Sequence, residues 1–488
     1  DVFFTVSIQS IFMNGLKLPP LVASILLTLS FSVSADFFSD HKGEIENNVP
    51  RLGYGVAVTD FDQDGLFDFV VTGFGYENLV LAHRAGVLTD INDHPSVANP
   101  ASMAIGVVAC DVDTDGVEEL YFLNTDRYSG RKEFTDNLVD LNDGMLDLFT
   151  LPKNKENLNL TAGRSVACVD RNGSGKFGIY VANYGGPVRY YESNNRKIRD
   201  IAPALNLDRV TGGRSVVAGH IVSDQVDIFA SNERGPNFLY VNNAGEFKDK
   251  AVELNVSDTL QHGRGVALTD LNYDGRLGIV AGNWNGYHRI YVPVAESFAD
   301  VSPVNFRQPS RIRTVISADF DNDGFDEIFL NNIGEKNRLF RVRGGYIFEE
   351  LTLTSALEPD GLGTGAAVAD VDGDGILELL ISHGEDKAQP ISLYKAKVSK
   401  SARFLRIIPK NRSGAPARGA TVTLRTNLRT HAKTIDAGSG YLCQMEPVAH
   451  FGIRAGEKVH DVVIRWTDGS TQVVQINEVN VHHTVHQS

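Results

Sequence analysis

A short acidic loop recurs along this chain at a nearly constant interval. Its first residue falls at Asp60, Asp111, Asp170, His220, Asp270, Asp319 and Asp370, giving spacings of 51, 59, 50, 50, 49 and 51 residues. A period near 50 with no helical periodicity marks propeller blades, four strands to a unit. Each unit reads alike. A short strand such as Gly55-Val56-Ala57-Val58 leads into the loop, and a continuous apolar strand such as Ile328-Phe329-Leu330 follows it. A Gly/Asn-rich turn comes next, then a third strand such as Asn237-Phe238-Leu239-Tyr240 and a last strand carrying Phe-x-Asp, as in Phe298-Ala299-Asp300. The continuous apolar strands suit sheets covered on both faces. The seventh unit has a third strand, Ile391-Ser392-Leu393-Tyr394, but no Phe-x-Asp after it; one sits instead at Phe38-Ser39-Asp40. The N-terminal strand is expected to complete the last blade and remove an open edge. The expected fold class is all-β: a seven-bladed β-propeller followed by a small β-domain.

Four loops carry carboxylates at positions 1, 3, 5 and 9, with glycine at position 6. They are Asp60, Asp62, Asp64 and Asp68; Asp111, Asp113, Asp115 and Glu119; Asp319, Asp321, Asp323 and Glu327; and Asp370, Asp372, Asp374 and Glu378. Hard oxygen ligands at this density suit Ca2+, which accepts six to eight oxygens. Glycine permits the turn that folds the carboxylates inward. A solvated acidic turn is the alternative, but four carboxylates in one short loop repel unless a cation is present. Four calcium ions would bring about eight positive charges, against a formal net charge of −15. The middle loops are weaker. Asp270, Asn272 and Asp274 keep three ligands with Gly278 at position 9; Asp170, Asn172 and Ser174 have lost most charge; and the fourth unit, from His220 to Asp227, has no recognisable site. Uneven metal loading round the ring is expected.

The Asp-x-Asp-x-Asp-Gly-x-x-Asp/Glu loops between blade strands resemble FG-GAP (VCBS-type) repeats, as in integrin α-chain propellers. The C-terminal segment resembles the ASPIC/UnbV domain through Arg418-Gly419-Ala420, Gly438-Ser439-Gly440-Tyr441, His450-Phe451-Gly452 and Ile464-Arg465-Trp466-Thr467-Asp468-Gly469. That combination is similar to the cartilage acidic protein family. The resemblance implies secreted, matrix-associated, calcium-binding proteins without known catalysis. Vertebrate members often end in a cysteine-rich EGF-like module. No cysteine follows Cys443, so that module is not expected here. The expected domains are upstream residues and a signal peptide at 1–35, the propeller at 36–398 and the β-domain at 403–480. Gly438-Ser439-Gly440-Tyr441 reads as a structural turn, with a binding loop as the alternative. His482, His483 and His486 read as a frayed tail, with a metal cluster as the alternative.

The N-terminus carries Lys17, an apolar run over 21–31 and Val33-Ser34-Ala35, the pattern of a secretory signal cleaved before Asp36. The run is too short to span a membrane comfortably, and no later stretch does so. Asn159, Asn255 and Asn411 open glycosylation sequons. Cys110, Cys168 and Cys443 exclude a disulfide-built scaffold; one pair, or three small buried hydrophobes, remain open. The acidic balance argues against nucleic acid as a partner.

No nucleophile elbow, zinc-binding helix motif, phosphate loop or paired-cysteine motif is present. The expected function is a secreted calcium-binding matrix or adhesion protein without catalysis, whose partner is an extracellular protein or an acidic glycan. The alternative is a lyase-like polysaccharide enzyme on a propeller scaffold. An insertion over 126–150 with Arg127, Arg131 and Lys132 is the feature that would favour it. Arg164, Arg214 and Arg264 each fall six residues before a loop, where the other units have Tyr54, Ile105, Arg313 and Thr364. Six strand residues span about 20 Å. These arginines therefore belong at the blade end opposite the loops, lining the channel mouth if the first strand is innermost. Converging there, they would suit a carboxylate or sulfate. The alternative is that each pairs with an acid of the next blade.

Overall fold

The computed structural model describes residues 36–488; the expected leader, 1–35, lies outside the described residues. Among these, seven four-stranded antiparallel units follow one another. Their first strands are Gly53–Thr59, Ala104–Cys110, Gly163–Val169, Val210–Gly219, Gly263–Thr269, Ile312–Ala318 and Gly363–Ala369. Each lies beside the next, and the last lies beside the first, so the first strands form the inner wall of a closed ring. The second strands are buried throughout, as in Glu378–His383 and Glu327–Asn332, because neighbouring blades cover both faces. That explains their uninterrupted apolar runs.

The seventh unit joins Gly363–Ala369, Glu378–His383 and Ser392–Ala396 to Phe38–Asp40, in the register Phe38↔Ala396 and Asp40↔Tyr394. Phe38 is fully buried, edge-on to Phe320 at 5.2 Å. Blades 3 and 4 depart from the repeat. Gly178–Pro187 runs long and pairs with Val210–Gly219 through Pro187↔Val210, fusing the two blades into one eight-stranded sheet. Cys110 and Cys168, on the inner strands of blades 2 and 3, form a disulfide that staples those blades together, while Cys443 is free and buried.

The C-terminal segment builds two sheets around Leu405, Val422, Phe451, Ile464 and Trp466. One sheet orders Ala449–Ile453, Arg403–Lys410 and His482–His486; the other orders Thr430–Thr434, Thr421–Thr426, Val459–Arg465 and Thr471–Val474. The frayed-tail reading of the C-terminal histidines is corrected here. His482–His486 is a strand, parallel to Arg403–Lys410 from Arg406↔His482 to Lys410↔His486.

The segment 436–448 enters the ring. Val266 and Gly440 exchange backbone hydrogen bonds at 2.7 Å. Cys168 N donates to Ala437 O, Gln444 N to Val56 O, and Glu446 N to Val368 O. A loop bonded to the inner strands of four blades lies inside the channel, so Gly438-Ser439-Gly440-Tyr441 is neither a free turn nor a surface loop. A Cβ on Gly438 would meet Val166 O at 2.5 Å, which is why glycine stands there. Arg418, fully buried, anchors this plug. It donates to Val58 O at 2.7 Å and Glu118 Oε1 at 2.5 Å, and to the loop carbonyls of Asp436 and Met445.

Candidate functional site

The four strongly acidic loops share one construction. The position-6 glycines have φ between 80° and 94° and donate N–H to the position-1 carboxylate. These bonds run from Gly65 to Asp60 at 3.2 Å, Gly116 to Asp111 at 3.1 Å, Gly324 to Asp319 at 3.0 Å and Gly375 to Asp370 at 2.9 Å. The position-9 carboxylate accepts from the position-2 N–H, as in Phe61 to Asp68 at 2.9 Å and Val371 to Glu378 at 3.0 Å. Each outer carboxylate thus spends one oxygen on tying the loop. In five of the eight the other oxygen is buried without a hydrogen-bond partner, namely Asp60 Oδ1, Asp68 Oδ1, Glu119 Oε1, Asp319 Oδ1 and Asp370 Oδ1, while in Asp111, Glu327 and Glu378 it meets Thr114 N, Arg341 and Lys395. Ligand atoms of Asp60, Asp62 and Asp68 gather within 4.8 Å, as do those of Asp111, Asp113 and Asp115, of Asp319, Asp321 and Glu327, and of Asp370, Asp372 and Asp374. Burial first, then the neighbouring acids, push Asp68 up to about 7 and Glu119 up to about 10. Buried anionic oxygens of this kind are stable only with a cation or a proton, and this donor set fits a hard divalent ion.

The four loops differ in what lies opposite position 9 on the third strand. In blade 2 it is Asp140, through Leu120↔Val139, and its carboxylate gathers with Asp113 and Glu119 within 4.8 Å. Sequence reasoning missed this fifth acid. In blade 6 the residue is Arg341, which holds Glu327 at 2.7 Å and also meets Asp321 and Asp323. In blade 7 it is Lys395, at 2.8 Å from Asp372 and Asp374 and 2.5 Å from Glu378. In blade 1 it is the apolar Ala82, as Phe69↔Leu81 sets the register, and Arg84, two residues further along the strand, reaches Asp62 and Asp64. Three loops therefore carry a cation bonded to their own acids, while blade 2 carries another carboxylate, Asp140, which Arg196 approaches at 3.5 Å.

The middle loops keep the backbone and lose the charge. Gly275 N still donates to Asp270 at 2.7 Å, but Asp274 turns to Arg276 at 3.0 Å and Asn272 at 3.2 Å. In blade 4 the loop is one residue shorter. Asp227 takes four hydrogen bonds, from Val222 N, Ser223 N, Ser223 Oγ and Asn242 N, between 2.7 and 2.8 Å, and needs no metal.

The C-terminal sheets cover this end of the ring. Ser413 Oγ donates to Asp111 at 2.7 Å, Thr467 Oγ1 to Asp170 at 2.6 Å, Ala432 N to Asp270 at 3.1 Å and Gly452 N to Asp319 at 2.8 Å. Burial would raise Asp370, but His482 and the Arg406 charge hold it down to about 2.

At the opposite end every inner strand carries a register shift. The shift falls on the residue six before the loop, and such bulges re-aim side chains. Arg164, Arg214, Arg264 and Arg313 are thereby turned into a cavity of about 430 Å³ closed by Tyr441 of the plug. The alternative, that Arg164, Arg214 and Arg264 each pair with an acid of the next blade, is not what the structure shows; among the four arginines here, Arg313 does so. Glu233, of Arg214's own blade, takes Arg214 and, from the next blade, Arg264 at 3.1 Å; Glu385 takes Arg313; and Arg164 bonds carbonyl oxygens.

Two glycosylation sequons are corrected by burial. Asn159 is fully buried, its amide donating to Asp136 at 2.7 Å, and Asn411 is buried, its amide donating to Gly175 O at 3.1 Å. Neither has room for a glycan; Asn255 is exposed. In the insertion of blade 2, Lys132 is buried and paired with Asp136, and Arg127 pairs with Asp126 and Glu133. No helix among the described residues is long and apolar enough to cross a membrane.

The family described as ASPIC and UnbV matches residues 410–488, and the FG-GAP-like repeat matches 270–330 and 319–381. Cartilage acidic protein 1 of Homo sapiens is 46% identical over 466 residues, covering 87% of this chain and 70% of that protein. Its namesake in Xenopus tropicalis is 44% identical over 479 residues, covering 90% and 74%. Among solved structures, BBS1N in complex with ARL6DN has a TM-score of 0.46 at 8% identity, covering 74% of this chain and 97% of that one. The BP39L lectin from Burkholderia pseudomallei has a TM-score of 0.45 at 12% identity, covering 70% and 99%.

Proposed function

The chain belongs to the cartilage acidic protein family, and on that premise we propose a secreted, matrix-type binding protein without catalysis, whose propeller is held by Ca2+. The observation that carries the calcium reading is the set of buried, unpartnered carboxylate oxygens in four repeat-phased loops. Blade 2 is the tightest site of the four: Asp111, Asp113 and Asp115 and, sharing Asp113, Glu119 and Asp140 form two overlapping triads of carboxylates, and the cation nearby, Arg196, lies 3.5 Å from Asp140 and bonds none of the four loop acids. Blades 1, 6 and 7 bind more weakly, because Arg84, Arg341 and Lys395 compete for the same oxygens. Asp270, Asn272 and Asp274 form a marginal fifth site.

Two features support secretion. The Cys110–Cys168 disulfide suits an oxidising compartment, and the leader pattern precedes Asp36. The test is a calcium-binding isotherm on the full chain. Four ions are expected, the first lost selectively in Asp140→Asn. Absence of saturable calcium binding overturns the reading.

A further inference from the structure

The channel mouth holds more buried positive charge than the protein neutralises. Arg164, Arg214, Arg264 and Arg313 are all at most 7% exposed, and among the described residues two carboxylates bond them, Glu233 and Glu385; Asp126 also lines the cavity but pairs with Arg127. Glu233 is shared, at 2.6 Å from Arg214 Nε and 3.1 Å from Arg264 Nη1. Arg164 has no acid. Its guanidinium rests on the carbonyls of Gly163, Arg127 and Tyr128. Arg264 Nε and Arg313 Nε are buried with no partner. This excess of two positive charges sits in a chain of net charge −15, and burying an unpaired charge is costly. Tyr441 registers the same field: burial would raise its phenol, yet the guanidiniums of Arg214, Arg313, Arg264 and Arg164 lower it.

The guanidinium planes are fixed before any ligand arrives. Arg214 lies 4.3 Å over the Tyr184 ring, Arg164 5.3 Å over Tyr128, and Arg264 and Arg313 5.1 and 4.7 Å over Trp284. Held forks of this kind suit planar or tetrahedral oxyanions and spare the entropy of ordering long side chains. The cavity of about 430 Å³ has the size of a small-ligand pocket. Glu233 and Glu385 stand among the arginines, so a dense polyanion would be repelled. They suit a ligand that brings hydroxyl donors beside one anionic group.

We infer that the mouth binds one acidic sugar unit, a carboxylated or sulfated saccharide whose anion meets Arg164 and Arg313 and whose hydroxyls meet Glu233 and Glu385. The site deepens the binding-protein reading proposed above and rests on its extracellular setting. It also gives the C-terminal segment a part in recognition, because Tyr441 is the floor of the pocket.

The experiment is calorimetric titration of the full chain in saturating calcium with glucuronate, glucosamine 6-sulfate, glucose, inorganic sulfate and a tetraglutamate peptide. Binding of glucuronate or glucosamine 6-sulfate is expected, and which one binds tells carboxylate from sulfate. Glucose is expected to bind at least about tenfold more weakly. Arg164→Gln is expected to weaken the sugar by about tenfold or more, and its melting temperature, read alongside, reports what the carbonyls of Gly163, Arg127 and Tyr128 lose with their donor. Arg164→Lys, which keeps the charge and loses the fork, decides the matter should the glutamine variant not fold. No binding of either acidic sugar, undiminished binding in both Arg164 variants, or tetraglutamate or inorganic sulfate binding as tightly as the sugars overturns the inference. Failure of the calcium reading would show separately, in the isotherm without sugar.

Discussion

The two ends of the channel are built on the same seven inner strands, six residues apart, and carry opposite charge. At the loop end carboxylates gather with buried free oxygens; at the mouth guanidiniums gather with buried free nitrogens. The segregation also runs round the ring. Blades 1, 2 and 7, with fully acidic loops, place Tyr54, Ile105 and Thr364 at the mouth, while blades 3, 4 and 5, with weak loops, place Arg164, Arg214 and Arg264 there. Blade 6 alone has both, Arg313 and a full loop. Repeat phase decides where a side chain stands, and residue type decides whether the protein or a ligand completes it. Blade 4 shows the first outcome: Asp227 is satisfied by four protein donors. Blade 2 shows the second: Glu119 has one donor, Val112 N, and a free buried oxygen.

The largest effect expected is on the loop end as a whole. Four sites saturated about a hundredfold above their dissociation constants would contribute about 11 kcal/mol. Chelation should then lower the melting temperature by on the order of 10 °C for a chain of this size. An unchanged melting temperature breaks the contrast between the ends. Next, Asp227→Asn should cost about 2–3 kcal/mol, because it unsettles four buried hydrogen bonds, and should leave calcium stoichiometry alone. Glu119→Gln should do the reverse, removing one ion from the isotherm. Lys395→Met separates tethered cation from bound cation within one loop. It should tighten calcium at blade 7 by about tenfold and widen the melting gap between calcium and chelator. A narrower gap would mean that Lys395 helps the ion rather than competing with it.

Much of the loop end was legible because its information is local. Carboxylates at positions 1, 3, 5 and 9 with glycine at 6 lie within nine residues, and the period repeats them. Asp140, Arg341 and Lys395 were not, because they join the loops across a strand pair, and their place depends on register such as Glu327↔Arg341 and Glu378↔Lys395. Counting along the third strand from the residue opposite position 9 was the signal that could have found them. At the mouth, the arginine phase was readable and the bulge that turns it inward was not. The plug has no periodicity, and its meaning lies in contacts such as Val266 with Gly440. Buried Asn159 and Asn411 show the same limit, since a sequon triplet carries no record of burial.

The smallest effect concerns acid, and it separates the two ends again. His288 sits in the mouth-side turn of blade 5. Its Nδ1 accepts from Asn283 N at 3.0 Å and its Nε2 faces Ser310 Oγ at 3.0 Å. Asn78, Asn237 and Asn337 accept the same backbone bond in blades 1, 4 and 6. Burial, aided by the Arg338 charge, lowers His288 from the ordinary 6.5 to about 3. A protonated Nδ1 could not accept from Asn283, so the folded chain resists the proton while the unfolded chain takes it. This contribution is full above pH 6.5 and is lost as pH falls from there towards 3. At pH 5.5 the loss is about 1.4 kcal/mol. His288→Asn keeps the bond and removes the titration. In excess calcium, which holds the loop end, the variant should match the parent near neutrality and exceed its stability by about 1 kcal/mol at pH 5.5. Equal acid sensitivity of the two would show that the whole response belongs to the loop end and its carboxylates, and that the mouth does not titrate.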